Sequence, residues 1–196
     1  MSVISQKFFK RAAQKVAKDL LGKFLVRIAG NKTLAVKITE LEIYDGFKDK
    51  ASHASRGKTL RNKIMFEEGG YFYIYLVYGM YWMINIVVGR KNYPSAILLR
   101  GGEAVETIAY KRKSKLFSNS QEFENSLPQI SLNGPGKLSK FLKVDKKFNE
   151  KEASPETGLW FEHRGEKIKR FKRTSRIGVH YAGPIWSKKR WRFVAE

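Results

Sequence analysis

Cysteine is absent from the 196 residues, which excludes disulfides, thiol nucleophiles and thiolate metal sites. Histidine is scarce: His53, His163 and His180 are the only three. None has a second histidine at close ligand spacing, and neither a metal nor any other cofactor is expected. Negative charge is also in short supply, with 18 Asp and Glu against 39 Lys and Arg, a formal net charge of +21. Such an imbalance predicts attraction to a polyanion through counterion release, and binding that weakens with salt. No basic amphipathic helix with a large apolar face stands out, so membrane surfaces and acidic proteins are weaker alternatives. The stretch Met1–Gly22 carries charges throughout and has no apolar core of signal-peptide length, which points to a soluble intracellular protein.

Against this basic background residues 71–88, YFYIYLVYGMYWMINIVV, hold no charge in eighteen positions, seven of them aromatic. The length reaches the lower limit for a membrane helix. Five tyrosines, Asn85 and Gly79 make a poor lipid-facing surface, however, and the β-branched and aromatic content favours strands. The expected structure is a β-hairpin: Tyr71–Val77, a turn at Tyr78-Gly79-Met80, then Tyr81–Val88. Some of its rings can be core, and some can lie beside a flat ligand.

Elsewhere the periodicity is mixed. Phe8, Ala12, Val16 and Leu20 recur at helical spacing and predict one amphipathic helix closed by Gly22. Strands are expected around Phe24–Ile28, Leu34–Tyr44, Ala96–Arg100, Leu159–Phe161 and Ile177–Tyr181, and helices over Glu103–Lys113 and Gly136–Leu142. Asp45–Arg61 reads as an ordered loop, and 114–130 as a mobile surface excursion. No repeat or linker divides the chain, so a single α+β domain spanning 1–196 is expected. Basic residues concentrate in 164–176 and 188–192, where Phe171 and Trp191 interleave with them as a nucleic-acid surface would require.

Three segments carry candidate chemistry. Strand alternation places Glu40, Glu42 and Tyr44 on one face, continuing the apolar series Leu34, Val36, Ile38 into a polar cleft where a carboxylate can polarise water. The loop Ala51–Asn62 combines His53 with hydroxyls and cations. It lacks the spacing of a phosphate-binding P-loop, and a Ser–His hydrolase built on Ser52 or Ser55 would have no nucleophile elbow. Leu132–Ser139 is a glycine-rich turn into a helix, a place for phosphate. That turn also faintly resembles the hairpin of helix-hairpin-helix DNA repair enzymes, with Lys137 as an amine nucleophile and Asp145 downstream.

Taken in order, these motifs resemble the alkyladenine (3-methyladenine) DNA glycosylase family. The matching stretches are Leu20–Lys23, Ile38–Tyr44, Ala51–His53, Arg61–Phe66, Tyr73–Tyr81 with Asn85, Ile97–Arg100, Asn133–Leu138 and Arg176–Gly183. The resemblance implies a monofunctional glycosylase of base excision repair. It would flip alkylated or deaminated purines (3-methyladenine, 7-methylguanine, hypoxanthine, ethenoadenine) from double-stranded DNA and hydrolyse the N-glycosidic bond, as a monomer located with the DNA. The implied fold is a curved, mainly antiparallel sheet flanked by helices, with the hairpin entering the minor groove. Glu42 matches the catalytic base that holds and deprotonates the attacking water, and Arg100 an arginine near that water and the adjacent phosphate. Tyr44, His53 and Tyr75 match the residues that sandwich the extruded base, and Asn85 the amide that crowds out normal guanine. Tyr78 matches the wedge that fills the vacated gap; Met80, Tyr81, Arg61 and Lys137 would contact DNA. The chain departs from the family's pattern at Pro184, where an acidic residue is usual, and at Gly101-Gly-Glu-Ala-Val105, which puts local loop geometry and lesion preference in doubt. Two alternatives stand beside this reading: a bifunctional glycosylase/lyase using Lys137 as Schiff-base nucleophile, and a non-catalytic nucleic-acid binder with the aromatics as stacking platforms.

Overall fold

Residues 1–109 and 130–196 are described by this computed structural model. After a two-residue strand β1 (Ser2–Val3), the expected amphipathic helix is present but broken in two, as α1 (Gln6–Phe9) and α2 (Ala13–Leu20). The break has a local cause. The Phe8 carbonyl accepts the Arg11 Nε–H at 2.9 Å and the Phe9 carbonyl accepts the Gly89 N–H at 2.8 Å, so the acceptors needed to continue the helix are used elsewhere. Gly22, at φ 76°, then turns the chain out of α2 and donates its N–H to Ile38.

The strands that follow are β2 (Phe24–Ala29), β3 (Lys32–Asp45), β4 (Phe72–Val77), β5 (Tyr81–Val87), β6 (Ser95–Ala109) and β7 (Ile130–Asn133). Helix α3 (Pro135–Phe141), β8 (Leu159–His163), β9 (Phe171–Thr174), α4 (Gly183–Ser187) and β10 (Arg192–Ala195) complete the described strands and α-helices. All strand pairs are antiparallel, and the main path across the sheet runs β1-β8-β2-β3-β6-β5-β4. One edge of β3 is shared: β2 pairs with Lys32–Lys37, and β10 with Glu40–Glu42. This is an α+β fold with an open sheet and few helices. Among the described residues no helix is long and apolar enough to cross a membrane.

The two faces of the sheet do different work. On one, Val16 and Leu20 of α2 and Leu138 of α3 bury against Leu34, Val36, Ile38, Ile84, Ile97 and Leu99, each such side chain contributing about 1.5–3 kcal/mol of transfer free energy. On the other, the loop from Asp45 to Phe66 lays Ala54, Ile64, Met65 and Phe66 over Tyr73, Val87 and Ala96. Beside it, Val179 and Ala182 pack on Ala51, Tyr44 and Trp186.

Simple alternation along β3 fails at its centre. The core series Leu34, Val36, Ile38 switches to Leu41 and Ile43. Pairing with β6 shifts register on either side of Glu40, where Thr39 of β3 and Arg100 of β6 are each passed over. The facing bulges rotate the strands by half a period. Glu40, Glu42 and Tyr44 therefore continue not the apolar face, as alternation predicts, but the opposite one, and Arg100 turns out with them.

Two further expectations are corrected. Glu103–Ala109 is the continuation of strand β6, not a helix: Val105, Thr107 and Ile108 are β-branched, and the segment pairs with β3 out to Lys32↔Ala109. Ile177–Tyr181 is not a strand. Gly178, at φ 73°, bends the chain into a 3₁₀ turn at His180–Ala182. The excursion expected at 114–130 lies outside the described residues except for Ile130, the first residue of β7, as do residues 110–113 of the expected helix. Phe171 and Trp191, interleaved with the basic runs, are partly buried and pack against the main core, Phe171 with its ring 5.1 Å from that of Phe193.

Candidate active site

A transverse row of residues crosses the sheet in register: Arg192 of β10, Glu42 of β3, Leu98 of β6, Asn85 of β5 and Tyr73 of β4. The bulges beside this row point its polar members away from the main core. Glu42 is fully buried. Its Oε2 accepts the Tyr44 hydroxyl at 2.8 Å and lies 3.5 Å from Arg100 Nη1, while Oε1 accepts the Ile177 N–H at 2.7 Å. Desolvation pushes the carboxyl above its ordinary pKa, and the opposing pull of Arg100, the Ile177 N–H and Tyr44 does not cancel it. Tyr44, pushed well above the usual phenol range by burial and by Glu42, remains a hydroxyl donor.

Arg100 is itself held in place. Its Nε donates to Glu40 Oε1 at 3.0 Å, and the same oxygen accepts Arg192 Nε at 2.6 Å. A carboxylate between two guanidiniums keeps the first aimed at Glu42. Glu40 and Arg192 were not assigned such roles from sequence; only the pairing of β10 with β3 brings Arg192 here.

Above this group lies a cavity lined by Tyr44, His53, Tyr75 and Asn85, four residues singled out in the sequence, together with Met65, Tyr73 and Tyr181. Glu42 is not part of its lining and sits behind Tyr44. His53 Nδ1 is 2.8 Å from the Tyr73 hydroxyl, and its ring meets Tyr75 edge-on with centroids 4.7 Å apart. Partial burial and the nearby Arg61 charge lower the His53 pKa, which favours the neutral imidazole. Burial pushes the Tyr73 hydroxyl up to about 12. Asn85 is buried and donates both its contacts to strand carbonyls, at 3.0 Å to Tyr73 and 3.4 Å to Met83.

Other sequence candidates are not part of the cavity lining. Tyr78, Met80 and Tyr81 form the exposed tip and flank of the hairpin, Tyr78 being 87% exposed. The turn closes with the Met80 N–H donating to Val77, and both central residues, Tyr78 at φ 52° and Gly79 at φ 69°, occupy the left-handed region. Glycine does so freely; a tyrosine there is strained. Arg61 is exposed, its guanidinium 5.2 Å from the Tyr75 ring centroid. Lys137 is exposed on α3, next to Gly136, where an added Cβ would lie 2.6 Å from the Tyr81 ring. The glycine-rich turn thus seats the hairpin's flank. Among the described residues no group of three or more His, Asp or Glu could hold a metal ion.

Sequence reasoning missed Tyr73, Tyr181 and the Asp49–Arg176 pair. Tyr73 shares the period-two face of Tyr75 and was within reach of that argument. Tyr181, 71% exposed, donates its hydroxyl to the Ala51 carbonyl at 3.0 Å. Asp49 and Arg176 form a fully buried bidentate pair at 2.6 and 2.8 Å, joining segments 127 residues apart.

A buried carboxylate of raised pKa beside an aromatic cavity, on a strongly basic chain, is an arrangement that suits an enzyme acting on nucleic acid. Residues 7–196 match the family model described as Methylpurine-DNA glycosylase (MPG). A protein of Methanocella arvoryzae is 37% identical over 193 residues, covering 98% of this chain and 92% of its own. One of Clostridium novyi is 41% identical over 150 residues (76% and 74%), and one of Borreliella afzelii 36% over 190 (96% and 94%). Each bears the name "Putative 3-methyladenine DNA glycosylase". The chain belongs to the methylpurine-DNA glycosylase family, and is a DNA glycosylase, a hydrolase of DNA repair.

Proposed function

We propose that residues 1–196 act as one monofunctional glycosylase domain. It draws an alkylated or deaminated purine out of duplex DNA into the Tyr44–His53–Tyr75 cavity and hydrolyses its N-glycosidic bond with Glu42 as base. The observation that carries this reading is the coordination of Glu42. A carboxylate offers about four lone-pair positions. Tyr44 and Arg100 occupy Oε2, and the Ile177 N–H takes one position on Oε1. The remaining Oε1 position is a seat for a single water. Raised pKa makes this carboxylate a better proton acceptor than a solvated one, and its charge opposes the positive charge that builds on the sugar as the base departs.

Cationic methylated purines such as 3-methyladenine and 7-methylguanine suit the tyrosine faces through cation–π attraction. Asn85, fixed by its strand contacts, crowds the exocyclic amino group of normal guanine. Tyr78 fills the gap left in the duplex from the minor groove, flanked by Met80 and Tyr81, while Arg61 and Lys137 meet the backbone. The protein works on DNA as a monomer and needs no cofactor for hydrolysis.

Lys137, exposed on α3 beside the hairpin and not among the cavity residues, argues against the lyase alternative; a non-catalytic binder leaves Glu42's coordination without a purpose. The deciding experiment is Glu42→Gln. Base release from 7-methylguanine duplexes in single turnover should fall by about 10²–10⁴-fold, the range of a lost general base, with lesion-duplex affinity retained. Near wild-type turnover by that variant would overturn the assignment. A borohydride-trapped covalent adduct on Lys137 would replace hydrolysis with the lyase route.

A further inference from the structure

Arg176 makes more contacts than a structural ion pair needs, and they converge on the site. Nη1 donates to Asp49 Oδ2 at 2.6 Å and to the Ile43 carbonyl at 2.8 Å. Nη2 donates to Asp49 Oδ1 at 2.8 Å and to the Trp186 carbonyl at 3.2 Å. One guanidinium therefore ties together both ends of the 176–186 loop, the strand that carries Glu42, and Asp49. Its carbon lies 4.8 Å from the Tyr44 ring centroid and 5.2 Å from that of Trp191. Asp49 in turn accepts the N–H groups of Asp45 at 3.2 Å and Ala51 at 3.1 Å, which shapes the loop leading to His53. Besides the Tyr181 hydroxyl on the Ala51 carbonyl, the two loops that wall the cavity are thus joined by a buried ion pair.

We propose that Asp49 and Arg176 are positioning residues for catalysis: their pair fixes the 176–186 loop so that the Ile177 N–H grips Glu42 and Tyr181 closes the rim of the cavity. This rests on Glu42 being the catalytic base. The residue whose N–H holds Glu42 directly follows Arg176, so any drift of the guanidinium displaces that donor. A donor lost from Oε1 makes Glu42 harder to ionise and frees the carboxylate to rotate away from the water seat. The groups facing Glu42 are Tyr44 on its own strand, Arg100 from β6, Tyr75 from β4, and Arg176 and Tyr181 from the loop, with Glu40 and Arg192 behind Arg100. Arg176 also lowers the Glu42 pKa through its charge, and Arg176→Lys, which keeps that charge, isolates the effect carried by the loop.

Asp49→Asn and Arg176→Lys test this. Asn keeps the shape but removes the charge; Lys keeps the charge but cannot reach Asp49, Ile43 and Trp186 together. Single-turnover release of 7-methylguanine at saturating enzyme should slow by roughly 10- to 100-fold, the scale of a small misplacement of reacting groups. Affinity for duplex bearing an abasic-site analogue should be unchanged, and the acid limb of the rate profile should move to higher pH. Folded variants with the wild-type rate and acid limb would reduce the pair to a purely structural role. If both variants fail to fold, amide hydrogen exchange in the wild-type protein decides. A protected Ile177 N–H supports the proposal, and exchange at open-loop rates overturns it. Activity retained in Glu42→Gln instead removes the premise, a separate failure with a separate readout.

Discussion

At the scale of single residues, the site couples three tyrosines to one carboxylate, and only Tyr44 touches it. Its hydroxyl lowers the Glu42 pKa while burial raises it. Tyr44→Phe keeps a ring for stacking but removes that donor, so Glu42 should take up its proton at higher pH. On the proposed mechanism the active species is the ionised one, so the excision rate of Tyr44→Phe should fall off earlier as pH drops, with the two enzymes converging on the alkaline side. A pH–rate profile on 7-methylguanine duplexes checks this, and an unmoved acid limb would show that Tyr44 does not tune Glu42. The raised pKa has a stability counterpart. A carboxyl that binds its proton more tightly folded than unfolded favours the folded state at low pH, and that contribution fades as pH rises through the folded value. Ionised Glu42 is thus a stability cost accepted at neutral pH. Tyr44, His53, Tyr75 and Asn85 were legible in the sequence because each sits inside a motif with family resemblance. Asp49 and Arg176 were not, since nothing local marks an ion pair formed between loops 127 residues apart.

Among the elements, the hairpin followed directly from its sequence: an uncharged aromatic run, a glycine at the turn, and matching strand lengths leave little else for residues 71–88 to form. Its turn shows a conflict between stability and use. Tyr78 occupies a left-handed conformation that asparagine adopts with little strain, and Asn-Gly is the preferred pair for such a turn. Tyr78→Asn should leave the fold as stable or more so, by up to about 1 kcal/mol, yet weaken capture of lesion duplex. Thermal melting and binding titrations read the two effects separately; unaltered capture would remove Tyr78 from the wedge role. Other elements were hidden for identifiable reasons. The α1–α2 break depends on Arg11 and Gly89 reaching Phe8 and Phe9. Charged residues at 103, 106 and 111 imitate helical spacing, while pairing with β3 decides for a strand. The bulges at Thr39 and Arg100 invert the side-chain phase without leaving any mark in hydropathy. Period-two reasoning put Glu40, Glu42 and Tyr44 together correctly and assigned them to the wrong face.

For the molecule as a whole, the charge of +21 and the cleft beside the cavity, with Lys48, Lys50, Arg56 and Arg61 in its walls, predict a strongly electrostatic approach to DNA. Binding to undamaged duplex should fall with a steep linear dependence on log salt, by about 10³-fold or more between 50 and 200 mM if six or more phosphates are neutralised. The single-turnover rate at saturation should hardly change. Fluorescence anisotropy against ionic strength tests this, and a shallow slope would confine contact to a few phosphates. The fold also fixes an order of assembly. Glu42 and the hairpin lie in the first half of the chain, whereas Ile177, Arg176 and the strand that pairs beside Glu42 lie among the last twenty-one residues. During synthesis the strand carrying Glu42 therefore leaves the ribosome well before the loop and strand that hold it. Until residues 176–195 are made and docked, Glu42 lacks the Ile177 N–H and the paired Arg192 beside it. On the proposed mechanism, hydrolysis would be the last property this chain acquires.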